Sequence, residues 1–163
     1  MKNPIIRPIF ENEIDECISV IQESFATVAA EFGLTKENTP TNAAFIEKKW
    51  LISDLQNGEH FFALFLENKI IGFLALKETD KNTYELKKLS VLPKFRHQGF
   101  GKTILNFCKA HLSEKHATCL KIGIINENKH LKNWYITNGF QETETKTFPH
   151  LPFTVCLMEQ TIV

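Results

Sequence analysis

One stretch of the chain, from Arg96 to Lys102, has the residue types of a loop that binds an anion. It follows a predicted strand and directly precedes a predicted amphipathic helix. Gly99 and Gly101 carry no side chain that would keep a ligand away from the backbone. Successive loop N–H groups and the unpaired donors of the first helical turn then point to one place. We therefore expect a phosphate-bearing ligand at this anion loop.

Two common phosphate-binding loops are disfavoured by single residues. A dinucleotide fingerprint, G-x-G-x-x-G, requires a third glycine where Ile104 stands. The run Gly101-Lys102-Thr103 looks like the end of a mononucleotide P-loop, but the first glycine of that motif would fall at Arg96. A P-loop nucleotide enzyme is therefore a weak alternative, and the spacing R-x-x-G-x-G at a strand-to-helix junction remains.

Three segments of the chain resemble the GNAT superfamily of N-acetyltransferases in their order and spacing. The first is the R-x-x-G-x-G segment of the anion loop. The second is the preceding strand, Glu85 to Val91, followed by Pro93. The third is Asn128, Tyr135 and Gly139-Phe140, which is similar to the family's N-x(6)-Y-x-x-x-G-F segment. The resemblance covers nearly the full chain and implies an acetyl-CoA-dependent N-acetyltransferase.

Hydrophobic patterning predicts the elements that position these segments. Four segments show apolar residues at helical spacing, and short apolar runs bounded by turn residues indicate strands. The predicted order is β-α-α-β-β-β-α-β-α-β-β, which is similar to the GNAT fold. Hairpins mixed with crossover helices predict an α/β (α+β) fold, with a mixed sheet of about seven strands and about four flanking helices. We expect residues 1–163 to form a single domain.

The resemblance implies the cofactor contacts residue by residue. In the family, backbone groups of a splayed strand pair with the pantetheine arm of acetyl-CoA, and loop amides hold its pyrophosphate. Here the corresponding positions are Leu89, Ser90, Val91, Arg96, His97, Gln98, Gly99, Phe100, Gly101, Lys102, Asn128 and Tyr135. An amide of the strand would also hold the thioester oxygen as it gains negative charge. The sequence alone does not distinguish a cofactor contact of Asn128 from a role as the N-cap of a helix.

Tyr135 and Glu85 are the candidate catalytic residues. Tyr135 resembles the family's general acid, which protonates the departing thiolate of CoA. A phenol has a pKa of about 10 and a thiol about 8.5. A hydrogen bond from the phenol to the thiolate would therefore serve nearly as well as complete proton transfer. Strand alternation puts Glu85 on the same face as Leu89 and Val91, where partial burial would raise its pKa and suit a base. The structural alternatives are a buried core tyrosine and an outward glutamate paired with a lysine.

The acceptor is predicted only by class, as a small amine or a peptide N-terminus. Phe25, Phe32 and His150, with the loop from residue 27 to 42, would border its pocket, and His150 is a rival base. The expected mechanism is direct attack of the amine on acetyl-CoA, without an acyl-enzyme. A non-catalytic acyl-CoA-binding module is the alternative from another class, although the candidate acid and base count against it.

Composition disfavours several other classes of protein. Lys+Arg and Asp+Glu are both 19, so a broad basic face for nucleic acid is not expected. We expect neither a signal peptide nor a membrane span, because no apolar run is long enough. The four cysteines are dispersed, and no spacing of histidines or cysteines suggests a metal. We therefore expect a cytoplasmic protein that uses no metal, and a homodimer is compatible with the sequence.

Overall fold

A seven-stranded sheet runs through the computed structural model, which describes residues 3–163. Its strands are β1 (Ile5–Pro8), β2 (His60–Leu66), β3 (Lys69–Asp80), β4 (Thr83–Val91), β5 (Cys119–Ile125), β6 (Gln141–Thr147) and β7 (Thr154–Thr161). The helices are α1 (Ile14–Phe32), α2 (Lys48–Gln56), α3 (Phe100–Glu114) and α4 (Lys129–Thr137). The sheet order is β1-β2-β3-β4-β5-β7-β6, and β4 and β5 are parallel while the other neighbours are antiparallel. The predicted element order and mixed sheet are confirmed.

The central hairpin of β2 and β3 forms the middle of the core. Every residue from Phe61 to Phe65 and from Ile70 to Leu76 is buried, so both faces of these strands are covered. This explains why their sequences are continuously apolar rather than alternating. On one face, Phe62 meets Phe107 of α3 with ring centroids 5.0 Å apart.

Among the described residues, no helix has the length and apolarity needed to cross a membrane.

An extra residue in β4 forms a bulge opposite β3. Ala75 is paired with Lys87, but Phe73, two residues earlier in β3, is paired with Ser90, three residues later in β4. Lys88 lies in this bulge with φ of 55°, in the left-handed region. Because Phe73 and Ala75 lie on the same face of β3, Lys87 and Ser90 also share a face.

The bulge contradicts one prediction from strand alternation. Glu85 is paired with Lys77, whereas Val91 is paired with Gly72. Lys77 and Gly72 lie an odd number of residues apart in β3, so they point to opposite faces of the sheet. The prediction that Glu85 and Val91 share a face is therefore wrong, because alternation cannot anticipate an inserted residue.

Gly72 lies where β3 packs tightly against its neighbours, with no space for a Cβ, and its replacement should destabilise the fold. A Cβ there would lie 2.9 Å from the carbonyl oxygen of Ser90 and 3.3 Å from Ile104. We expect Gly72→Ala to lower the free energy of unfolding, measured in urea, by about 1–3 kcal/mol. Gly123→Ala is the matched control, because its Cβ would meet Leu157 at an ordinary 3.5 Å. Equal effects of both substitutions would contradict this packing.

Candidate active site

The parallel ladder between β4 and β5 is short, and the strands are unpaired beyond it. Its pairs run from Thr83 with Cys119 to Glu85 with Lys121. On its other edge, β5 is paired with β7 over its full length. Beyond the ladder, the facing edges of β4 and β5 therefore carry backbone groups without a strand partner. An extended ligand can enter such a gap and pair with the edge as an added strand would.

The backbone of β4 directs a donor toward this gap. Leu92 N–H donates to the carbonyl of Ile71 on the β3 side, at 2.8 Å. Because neighbouring strand amides point to opposite sides, the N–H of Val91 points away from β3 and toward the gap. Ser90, in contrast, is fully buried, and its hydroxyl donates to the carbonyl of Lys88 at 2.9 Å. The Ser90 side chain therefore braces the bulge.

The anion loop presents a row of free backbone donors. Within the described part of the chain, no N–H group from His97 to Lys102 donates to a protein acceptor. His97, with φ of 61°, and Gly99, with φ of 87°, are left-handed, and Gln98 between them is not. This alternation turns successive N–H groups toward one point and makes a nest for an anion. α3 begins at Phe100 and adds the positive end of its dipole.

Arg96 ties the anion loop to α1. Its Nη2 donates to the carbonyl of Ser24 at 2.7 Å, and its Nη1 donates to the hydroxyl of Thr27 at 2.9 Å. Its Nε donates to the carbonyl of Val91 at 3.4 Å. Burial lowers the pKa of Arg96, but a guanidinium keeps its charge in proteins. The side chain thus positions the loop, and the backbone N–H of Arg96 donates to the carbonyl of Pro93 at 3.2 Å. A cofactor contact of Arg96 stays a prediction.

The two glycines of the anion loop meet different structural requirements. Gly99 has a φ of 87°, where an L side chain is strained, and no atom lies within 4 Å of the position of its Cβ. Gly101 needs space instead, because a Cβ there would lie 2.9 Å from the ring of Trp134 in α4. Gly99 therefore shapes the loop, and Gly101 allows α3 to pack against α4.

Tyr135 lies in α4 with only 4% of its surface exposed. Its ring makes edge contacts with Trp134 and Phe140, with centroids 4.9 and 5.3 Å apart. Within residues 3–163 its hydroxyl has no hydrogen-bond partner, and it is not a fully enclosed atom. Burial, with a smaller effect of nearby Cys108, raises the pKa of Tyr135 far above that of a free phenol. The hydroxyl is therefore a neutral donor at physiological pH.

Asn128 is the N-cap of α4. Its Oδ1 accepts a hydrogen bond from the backbone N–H of Leu131 at 3.2 Å, so the capping alternative considered from the sequence does occur. Its Nδ2 makes no hydrogen bond among the described residues and is not fully enclosed. One amide donor of Asn128 thus remains for a ligand.

Glu85 lies where the ladder between β4 and β5 ends. It is half-buried and opposite Lys77 of β3 and Lys121 of β5, with Lys87 two residues further on its own face. Nowhere between residues 3 and 163 does its carboxylate find a hydrogen-bond or ion-pair partner. The alternative of a glutamate in a direct ion pair with a lysine therefore does not occur, although Lys87 is near enough to interact with the Glu85 carboxylate electrostatically.

The predicted acceptor residues are dispersed over two elements. Phe25 and Phe32 are half-buried on α1, and Phe25 follows Ser24, which accepts from Arg96. His150 is exposed in the turn before β7, where its ring lies 5.7 Å from that of Phe148. No hydrogen bond joins His150 to the rest of the described chain. The acceptor pocket and the rival base stay predictions.

A charged cluster beneath the bulge was missed by the sequence reasoning. Lys87 and Lys88 contact the carboxylate of Glu59 at 2.9 and 3.1 Å, and Lys88 also contacts Asp54 at 2.8 Å. We call these four residues the charged cluster. The available signal was two consecutive lysines in the strand sequence LKKLSV, since buried ammonium groups need partners.

Comparison with known proteins identifies the family. A sequence model described as the Acetyltransferase (GNAT) family matches residues 24–140, which include the C-terminal half of α1 and all of β4, the anion loop and α4. The chain belongs to the GNAT acetyltransferase family. The predicted membership is confirmed, and this GNAT protein is accordingly an acyltransferase that depends on acetyl-CoA.

Curated relatives of this GNAT protein carry the same family activity in their names. An uncharacterised N-acetyltransferase of Lactobacillus delbrueckii subsp. lactis is 26% identical over 153 residues, which cover 86% of each chain. The uncharacterised N-acetyltransferase YhfO of Bacillus subtilis (strain 168) is 31% identical over 107 residues, or 55% of this chain and 72% of YhfO.

Solved GNAT structures share the fold of this chain. The ribosomal-protein-alanine N-acetyltransferase of Escherichia coli has a TM-score of 0.78 at 15% identity, covering 98% of this chain and 94% of that one. The PaiA N-acetyltransferase of Thermoplasma acidophilum, solved in complex with coenzyme A, has a TM-score of 0.75 at 21% identity. The match covers 98% of this chain and 99% of that one. At these identities the similarity concerns the fold.

Tyr135 should make the stability of this GNAT protein depend on pH in the alkaline range. The unfolded tyrosine ionises near pH 10.0, whereas burial keeps the proton on the folded one at higher pH. Its contribution to stability is therefore complete below pH 10.0 and is lost as the pH rises above that value. We expect the free energy of unfolding in urea to fall more steeply above about pH 10 in the wild type than in Tyr135→Phe. Identical slopes would contradict a buried, neutral phenol.

Proposed function

We propose that this protein transfers the acetyl group of acetyl-CoA to a primary amine by direct attack, in a ternary complex without an acyl-enzyme. The amine belongs to a small molecule or to the N-terminus of a peptide. One observation carries the proposal: the free N–H groups from His97 to Lys102 adjoin the unpaired edge of β4. A phosphate-binding nest next to an open strand edge suits a ligand that is anionic at one end and amide-bearing along its arm.

Acetyl-CoA fits the donors that the chain offers. On this proposal its pyrophosphate is held by the N–H groups of the anion loop and by the N-terminus of α3. The amides of its pantetheine arm pair with the edge of β4, where Val91 N–H is directed into the gap, and with Nδ2 of Asn128. The PaiA N-acetyltransferase, solved with coenzyme A, supports this choice of ligand class.

Tyr135 stabilises the departing sulfur by donating a hydrogen bond. Its pKa is raised far above 10.0 by burial, while the pKa of a thiol is about 8.5. Complete proton transfer from this phenol to a thiolate is therefore uphill. A neutral hydroxyl that donates to a thiolate still forms a charge-assisted hydrogen bond, which is stronger than one between neutral groups. This favours the hydrogen-bond role over the general-acid role.

Glu85 accepts the proton of the attacking amine. A protonated amine has no lone pair for the thioester, so a base must remove its proton directly or through water. The carboxylate of Glu85 makes no hydrogen bond or ion pair in the described chain and lies where β4 and β5 part, next to the edge that we assign to the arm. A cytoplasmic location, expected from the dispersed cysteines, stays a prediction.

Binding is tested by thermal denaturation with acetyl-CoA, CoA and ATP. A ligand at 100 times its Kd adds about 2.7 kcal/mol, which corresponds to roughly 5–10 °C in Tm for a chain of this size. We expect this shift with acetyl-CoA and CoA and none with ATP. Release of thiol from acetyl-CoA across a panel of amines then separates an enzyme from a module that only binds acyl-CoA. Stabilisation by ATP alone would remove the basis for the proposal.

Catalysis is tested with Tyr135→Phe and Glu85→Gln. Loss of one hydrogen bond to a charged group should lower kcat about 10- to 100-fold in Tyr135→Phe. Glu85→Gln should lower kcat/KM about 100-fold near pH 7, and the deficit should shrink toward pH 10 as the amine loses its own proton.

Two matched variants control this test. Tyr84→Phe changes the one other tyrosine of the chain, and Glu78→Gln changes an exposed carboxylate on β3. Both should keep the kinetic constants of the wild type. A deficit in Glu85→Gln that does not depend on pH would exclude Glu85 as the base, and His150→Gln would then be the next variant to assay.

A further inference from the structure

Lys87 and Lys88 are consecutive residues of β4, yet both ammonium groups reach the same carboxylate. Lys87 Nζ donates to Oε2 of Glu59 at 2.9 Å, and Lys88 Nζ donates to Oε1 at 3.1 Å. In a regular strand, successive side chains point to opposite faces. The two contacts therefore require a break in the pleat between these residues, and the bulge lies at this position.

The bulge needs support because lysine seldom adopts its backbone conformation. Lys88 has φ of 55°, which costs glycine little but is unfavourable for other residues. Such a conformation persists when surrounding contacts hold it. Here Asp54 and Glu59 bind the Lys88 ammonium at 2.8 and 3.1 Å, and the hydroxyl of Ser90 donates to the Lys88 carbonyl at 2.9 Å.

Glu59 is the centre of the charged cluster. Its side chain is 1% exposed, and its backbone N–H donates to the carbonyl of Asp54 at 3.1 Å. The last part of α2 and the turn after it therefore supply the two carboxylates. Two carboxylates and two ammonium groups balance each other in the cluster. Without Glu59, two like charges would share one carboxylate, and their repulsion would favour moving Lys87 and Lys88 to opposite faces.

The bulge decides which backbone groups of β4 face the gap. Val91 is paired with Gly72, and its N–H points away from β3. If the extra residue were absorbed, the register beyond Lys88 would shift by one, and this N–H would turn toward β3. The edge offered to a ligand in the gap would then change.

We propose that Glu59 is a positioning residue for acetyl transfer, because its contacts with Lys87 and Lys88 maintain the bulge that presents the edge of β4 to acetyl-CoA. This role rests on the function proposed above. Glu59 acts through its contacts with the two lysines and not through a contact with acetyl-CoA. Nothing in the match to the GNAT family assigns a role to this cluster.

The kinetic test is Glu59→Gln, which keeps the shape of the side chain and removes its charge. We expect a higher KM for acetyl-CoA and a kcat/KM that is roughly 10- to 100-fold lower, since a small displacement of a binding edge has effects of this size. Circular dichroism at the assay temperature verifies that the variant is folded. Asp15→Asn is the matched control, because it removes a carboxylate from the exposed ion pair with Lys48, and it should keep the kinetic constants of the wild type.

Lys88→Gly distinguishes positioning from plain stabilisation. Glycine adopts a positive φ without help and removes one of the two like charges. Adding Lys88→Gly to Glu59→Gln should therefore restore much of the kcat/KM for acetyl-CoA. If Glu59→Gln lowers only the Tm and leaves KM and kcat unchanged, or if the glycine does not restore kcat/KM, the proposal is overturned.

A measurement without ligand keeps this proposal separate from the proposed function. In ¹⁵N-labelled protein, the coupling between HN and Hα of Lys88 reports its φ. We expect the left-handed value in the wild type and its loss in Glu59→Gln. A left-handed Lys88 that persists in Glu59→Gln would overturn the positioning role even if the protein is an acetyltransferase. Failure of the wild type to bind acetyl-CoA would instead refute the proposed function.

Discussion

The short ladder between β4 and β5 is the constraint on which the rest of the site depends. These neighbours are paired only from Thr83 with Cys119 to Glu85 with Lys121, although both strands continue beyond that point. A buried sheet normally satisfies its backbone groups internally, so an interruption at its centre leaves donors and acceptors that need a partner. On its other side each strand is paired beyond the ladder, β4 with β3 and β5 with β7. These pairings hold the two strands apart at the gap.

Polar side chains, rather than the apolar core, fix the walls of this gap. Arg96 joins the anion loop to Ser24 and Thr27 of α1, and the charged cluster joins the bulge of β4 to α2 and the turn after it. Apolar packing is not directional, so it can bury a strand without defining which amide faces which side. Hydrogen bonds and buried ion pairs have defined geometry, and they are suited to specifying a local irregularity. The bulge and the anion loop are thus held in the same way, by long cationic side chains that bind groups of α1, of α2 and of the turn after α2.

The elements of this fold were predictable because each has a local signal. The continuous apolar runs of the central hairpin indicated strands buried on both faces, and Phe61 to Phe65 are all buried. The anion loop was predictable because its glycines stand at a strand-to-helix junction. The bulge was not, since nothing around Lys88 marks a left-handed residue and its partner Glu59 lies 29 positions earlier in the chain. The function of Gly101 was likewise hidden, because the ring that requires it belongs to Trp134 in another helix.

By itself, the sequence determined the element order, the place of the anion loop and the likeness to a family of acetyltransferases. These depend on spacing and periodicity over a few residues, which local sterics and hydrophobic patterning translate directly into structure. Only the tertiary structure decided that the Arg96 side chain binds α1 and that Asn128 caps α4. It also decided that the Tyr135 hydroxyl is a buried neutral donor and that Val91 lies on the face opposite Glu85. The contacts of Arg96 and the surroundings of Tyr135 depend on which distant groups come within hydrogen-bonding distance or exclude water. The cap at Asn128 and the face of Val91 depend on the local path of the backbone, and motif spacing or strand alternation contains no information about either.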